Sequence, residues 1–355
     1  MSRRSTVFLK TALAAVHYTG AGNFLAPYTR GAGVIFMLHQ VDPEPPREFE
    51  PNRILKVTPT FLDSVVREVL DAGFDIVPLD QVRERLAEGE GARPFACFTL
   101  DDGYRDNREH AYPVFRRYCA PFTVYVPSDF ADGRGDLWWL TLERVVQAAP
   151  SITLAMHGET RHFRLSSAAE KEEAHHHIYW WLRSLPEHHA RAVVAELAVA
   201  HSIDPKRVHG DLIMSWDELR EFADDPLVTI GAHTRGHFAL AKLSEAEARV
   251  EMAESIARVE AELGRPCRHF SYPYGCARSA GSREFRLAAE LGLETAVTTE
   301  KGLLYAEHAH ELTALPRLSL NGDFQDLRYV KALLSGVPFA LMNTLKRYAG
   351  ARTAA

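Results

Sequence analysis

Cysteine is scarce in this sequence: Cys97, Cys119, Cys267 and Cys276 are the only four in 355 residues, and no two stand in CxxC spacing. That argues against a disulfide framework, so the thiols are read as reduced. Cys97 falls inside the apolar run Phe95 to Leu100, where a free thiol behaves as a small apolar side chain. An excess of positive charge is missing too. Lys and Arg number 41 against 47 Asp and Glu, for a formal net charge of -6, and the basic residues are scattered among acids. Nucleic acid is therefore not an expected partner, because phosphate binding needs a concentrated basic face.

Long apolar runs are absent as well. Nowhere do about 18 consecutive apolar residues occur, which leaves no membrane-spanning segment to expect. The N-terminus starts like an export signal, with Arg3 and Arg4 before an apolar stretch, but Lys10 and His17 break it. Only residues 11–16 stay uninterrupted, short of the roughly 7–15 residues and cleavage site that export requires. The segment reads as a short amphipathic helix on a cytoplasmic enzyme, one that could sit at the periphery of a membrane. Internal repeats and low-complexity stretches are also lacking, and 46% hydrophobic with 25% charged residues is the composition of a globular protein.

What is present is an alternation of short apolar runs and helical stretches. Residues 34–38, 74–77, 95–100 and 123–126 read as strands, with helices over 60–72 and 107–118. Strand, helix and strand repeated in this way imply parallel strands joined by crossovers, in an open α/β sheet or a barrel. The pattern pauses over about 132–211, an aromatic- and His-rich stretch with no clear strands, read as a helical insertion. It resumes with strands over 228–230, 269–272 and 295–299 and helices over 244–263 and 282–291. Ser244 and Glu247 fit a capping box, and Gly264-Arg265-Pro266 fits a helix stop. The expected organisation is a helical extension over 1–32, a main domain over 33–325 and a helical tail over 326–355.

Asp101 and Asp102 follow the apolar run that ends at Leu100, placing two carboxylates at a strand end. In parallel α/β folds that edge hosts active sites. Adjacent carboxylates point in different directions, so one can bind a metal while its neighbour stays free as a base, and Gly103 permits the tight turn. His233 and His237 follow a second strand with four-residue spacing, which at the opening turn of a helix puts both rings on one face. Together with Asp102 they make a mixed N and O set that leaves coordination positions open, as catalytic metal sites do.

These motifs resemble those of the polysaccharide deacetylase family, the NodB-homology domain. Thr99-Leu100-Asp101-Asp102-Gly103 is similar to its Thr-Phe-Asp-Asp-Gly motif, and His233-Thr234-Arg235-Gly236-His237 to its His-Ser/Thr-x-x-His. Phe270-Ser271-Tyr272-Pro273-Tyr274-Gly275 is similar to its third motif, Arg-x-Pro-Tyr. The resemblance covers about residues 33–300. It implies an α/β fold, a distorted (β/α) barrel, and hydrolysis of N-acetyl groups from a GlcNAc-containing polysaccharide or oligosaccharide with a divalent metal, zinc first. Asp102, His233 and His237 would be the metal ligands and Asp101 the general base. Thr234 would support the loop through its hydroxyl, and a backbone N–H near Tyr274 would face the oxyanion. Substrate would touch Tyr272, Pro273, Tyr274 and Arg317.

Two departures stand out. Ser271 occupies the place of the motif-three Arg that orients the catalytic Asp, and Arg317 is the candidate substitute. The motif that supplies the general acid is not visible near the C-terminus, and His39, at the end of the first strand, is the candidate acid. The runs at His175 to His177 and His188-His189 read as solvated faces. The insertion's tryptophans read as packing residues, with Trp138 or Trp139 nearest a groove. An amidase acting on a small non-sugar amide and a catalytically impaired glycan-binding protein remain the alternative functions.

Overall fold

The computed structural model describes residues 3–89 and 92–344. Residues 1–2 of the expected extension and 345–355 of the expected tail lie outside the described residues. Seven strands form a closed parallel barrel: β1 (Gly33–Leu38), β2 (Phe95–Leu100), β3 (Phe122–Val126), β4 (Val228–Ala232), β5 (His269–Ser271), β6 (Thr295–Lys301) and β7 (Leu315–Ser319). Each pairs with the next in chain order, and β7 returns to β1 through Phe36 opposite Leu318. A two-residue strand, Asp75–Ile76, pairs with Phe95 and Ala96, on a part of β2 that β3 does not reach.

Both faces of these strands are covered, which is why they read as continuous apolar runs. Outward side chains such as Phe36, Leu38, Phe98 and Val124 pack beneath the surrounding helices. Inward ones, including Ile35, Cys97, Tyr125, Val297 and Leu315, fill the barrel. Each fully buried side chain of this size contributes about 1.5–3 kcal/mol. Glycine is required at position 231, since a Cβ there would lie 2.7 Å from both the His269 carbonyl and the Tyr125 ring.

The helix Glu245–Leu263 begins with both legs of the expected capping box and stops at Gly264 in the left-handed conformation. The structure also holds strands that the sequence does not announce. Strand β7 was not anticipated, because Pro316 and Arg317 interrupt its apolar pattern. The insertion was expected to lack strands, yet Ser151–Met156 and Glu159–Arg164 pair as a hairpin. Its turn is His157-Gly158, both at positive φ, and most of its residues are solvent-facing or half-buried, so no apolar run announces it.

Around that hairpin the insertion supplies the helices Trp138–Ala148, Ala168–Ser184, Glu187–Ala200 and Pro205–Leu212. They share an apolar cluster of their own, built on Leu142, Val145, Ile178, Leu182 and Val194. Trp139 and Tyr179 of this unit line one cavity with Asp101 and Asp102, so the insertion stands over the C-terminal strand ends. At the other end of the chain the helices Arg3–Tyr18 and Leu327–Leu334 pack together. No helix among the described residues is long and apolar enough to cross a membrane.

Candidate active site

At the end of β2 the Asp101 N–H donates to the Leu38 carbonyl at 2.9 Å, and the chain then turns through Asp102 at φ 77° and Gly103 at φ 72°. The turn sends the two carboxylates apart. Asp101 points into the barrel and meets Arg317, whose Nη1 donates to Oδ1 at 2.8 Å and Nη2 to Oδ2 at 2.7 Å. The remaining Arg317 donors go to the Thr99 hydroxyl at 3.1 Å, the Ser271 hydroxyl at 3.1 Å and the Thr298 carbonyl at 2.8 Å. All five guanidinium N–H groups therefore have acceptors. Burial pushes the Asp101 carboxyl up, but the Arg317 charge and hydrogen bonds, with His233 and His39, outweigh it and hold the group below the usual carboxylate range.

Asp102 faces the other way, toward two imidazoles. Its Oδ1 lies 3.5 Å from His233 Nε2 and 3.2 Å from His237 Nε2, and the three ligand atoms fall within 4.8 Å of one another. His233 Nδ1 donates to the Ser271 carbonyl at 2.6 Å. A carbonyl can only accept, so Nδ1 carries a proton, which in the neutral ring leaves the lone pair on Nε2. Burial among Phe130, Trp139 and Tyr274 pushes His237 down to about 4, against the pull of Asp102, so this ring is neutral at neutral pH. Asp102 Oδ1 is buried with no hydrogen-bond partner among the described residues. An orphaned carboxylate oxygen converging with imidazole lone pairs fits a divalent cation of the kind that takes mixed N and O ligands.

The histidines reach this arrangement by a route other than the expected helix turn. Residues 233–237 form a loop, with Thr234 at φ 61° and His237 at φ 58°. Helix Glu245–Leu263 holds it, since Glu251 accepts from Gly236 N–H through Oε2 at 2.8 Å and from Arg235 N–H through its carbonyl at 3.0 Å. The Thr234 hydroxyl, expected to support the loop, has no partner among the described residues, and the Thr234 carbonyl instead accepts from Ser128 N–H at 3.2 Å. Of seven non-glycine residues at positive φ among those described, Asp102, Thr234, His237 and Tyr274 surround this one site. Backbone strain gathered in this way is a mark of functional geometry.

His39 also reaches the site, with Nε2 at 3.9 Å from Asp101 Oδ2. Burial lowers its pKa, and Asp101 and Asp102 pull it partly back. Tyr274 lines the cavity and is fixed by the insertion: Trp138 Nε1 donates to its hydroxyl at 2.9 Å, and the Arg183 guanidinium lies 3.5 Å over its ring. The remaining residues expected at the substrate are elsewhere. Tyr272 is buried in the core with its hydroxyl donating to the Thr313 carbonyl at 2.8 Å, and Pro273 is buried beside it. Arg317 is sealed under Asp101, so it acts on that carboxylate and touches no substrate.

Above these groups lies a cavity of about 460 Å³. Sequence reasoning missed several of its parts. His175, taken for a solvated residue, is buried at its edge, where burial pushes it down to about 4. Trp138 is a packing residue, Trp139 lines the cavity, and Trp180 joins it from the open side. A four-residue repeat of Glu172, His176 and Trp180 was the available signal. Glu251 left no signal, being one acid among several on its helix.

Residues 181–296 match the model of the polysaccharide deacetylase family, a span that includes both histidines but neither aspartate. No curated protein matches the chain. Among solved structures, the deacetylase PplD of Streptococcus pyogenes, in complex with acetate, is 18% identical over 84% of this chain and 97% of its own, with a TM-score of 0.55. IcaB from Ammonifex degensii is 15% identical over 86% and 97%, with a TM-score of 0.52. BC0361, a polysaccharide deacetylase from Bacillus cereus, is 14% identical over 85% and 68%, also at 0.52. At such identities the structures speak to the fold, while the family match speaks to the sequence. Residues 181–296 thus resemble the polysaccharide deacetylase family in sequence, and the chain as a whole shares the fold of solved deacetylases.

Proposed function

We propose that this domain removes N-acetyl groups from a GlcNAc-containing polysaccharide or oligosaccharide, with a divalent cation, zinc first, held by Asp102, His233 and His237. One observation carries the reading: the partnerless Asp102 Oδ1 converges with two imidazole Nε2 atoms beside a second carboxylate kept ionised by Arg317. Bound there, such a cation supplies Lewis acidity toward the amide carbonyl and acidity to water.

The side chains do the rest. Asp101 takes one proton from the attacking water as its oxygen adds to the carbonyl carbon. A backbone N–H near Tyr274, whose φ is 61°, would serve as donor to the developing oxyanion. His39, with Nε2 3.9 Å from Asp101 Oδ2, relays the proton that Asp101 removed to the amine nitrogen as the C–N bond breaks, leaving a free amine and acetic acid, which ionises to acetate in water. Acetate release from chito-oligosaccharides, abolished by a chelator and restored by zinc, is the expected result. Asp101→Asn should lower kcat by about 10²–10⁴-fold, the usual share of a general base. Release from small non-sugar amides alone would refute the glycan reading.

A further inference from the structure

The chain has five tryptophans, and four of them, Trp138, Trp139, Trp181 and Trp216, are at most 8% exposed. Trp180 is 46% exposed and lines the active-site cavity. Phe8, Phe24 and Tyr28 are more exposed still, but Trp180 is set apart by presenting its ring to this cavity. Nor is it alone. Glu172, His176 and Trp180 recur every four residues along the helix Ala168–Ser184, so they form one row on one face, and all three line the cavity. Opposite them the turn Pro51–Leu55 brings Arg53 and the exposed Ile54 to the same cavity. None of these five residues has a part in the hydrolytic step proposed above.

We infer that this row and the facing turn form an outer sugar subsite, in which Trp180 stacks on the apolar face of a pyranose ring neighbouring the one that is deacetylated. Glu172, His176 and Arg53 supply acceptors and donors for its hydroxyls. A pyranose presents C–H groups on its ring faces and hydroxyls around its rim, which matches an aromatic plane flanked by polar side chains. The substrate class that follows is a chain of sugars, not a single amino sugar, and the element that selects it is the insertion, not the barrel. The inference rests on the glycan reading above.

The test compares the hexamer and the dimer of N-acetylglucosamine. Affinities are measured by titration calorimetry in an Asp101→Asn background, where turnover does not intrude, and acetate release is measured with Asp101 intact. The hexamer-to-dimer ratio, in affinity and in kcat/KM, should fall about three- to tenfold in Trp180→Ala. Trp180→Tyr, which keeps a stacking plane, should recover most of it. An equal loss for both lengths, no loss, or no binding of the hexamer overturns the subsite. Length-dependent binding that needs Trp180, with no acetate released by the wild type, supports the subsite and overturns the deacetylase reading alone.

Discussion

Asp101 and Asp102 are neighbours in sequence and equally buried, at 2% exposure each, yet they belong to two differently built regions. Beneath Asp101 the barrel interior is saturated, with every Arg317 donor matched to an acceptor. Around Asp102 the barrel mouth is left open-ended, with an unpartnered Oδ1, an unpartnered His237 Nδ1 and an unpartnered Thr234 hydroxyl among the described residues. The difference suits the two roles proposed for these carboxylates. A base must be held in one charge state and one orientation, whereas a cation site must keep its lone pairs uncommitted until the ion arrives.

That contrast can be broken from either side. Arg317→Met leaves Asp101 as an uncompensated buried charge and should cost about 3–5 kcal/mol of stability in urea unfolding. A loss under 1 kcal/mol would mean the pair is not holding the barrel. The pH dependence gives a second reading of the same variant. Because the Asp101 pKa is depressed in the fold, its stabilisation is fully present above the ordinary carboxylate value near about 4 and is lost as pH falls through the lower folded value. The gap between wild type and Arg317→Met should therefore narrow in that acid window.

At the mouth, Asp102→Ala should weaken zinc binding by about a hundredfold or more, and should barely alter urea unfolding of the metal-free protein. Unchanged affinity in a zinc titration would remove Asp102 from the ligand set. The mildest test is Ser271→Ala, which deletes one of five bonds to Arg317 and should cost about 1 kcal/mol with Asp101 still paired.

Much of this was legible in the sequence, and the illegible parts have physical causes. The apolar runs of β1, β2 and β3 are unmistakable because parallel barrel strands are covered on both sides. Closure was not legible: β7 carries a charge that no local rule allows inside a barrel, and its partner lies 216 positions away. The spacing of His233 and His237 pointed to a shared site for a reason that did not hold. Two left-handed residues and Glu251 bring the rings together, where a helix turn was expected. Trp180 was grouped with its buried neighbours because helical periodicity separates faces but does not tell which of them a cavity will meet.

The bonds of Arg317 also bear on when the protein can work. They tie β7 to groups on or beside β2, β5 and β6, so Asp101, the proposed base, gains its counter-charge only once the last strand has docked. Pairing over such sequence separation forms late in folding. A nascent chain that has already presented Asp101, Asp102 and both histidines still lacks its counter-charge until residues 315–319 emerge. A chain interrupted before that strand would lack both the counter-charge of Asp101 and the strand that closes the barrel.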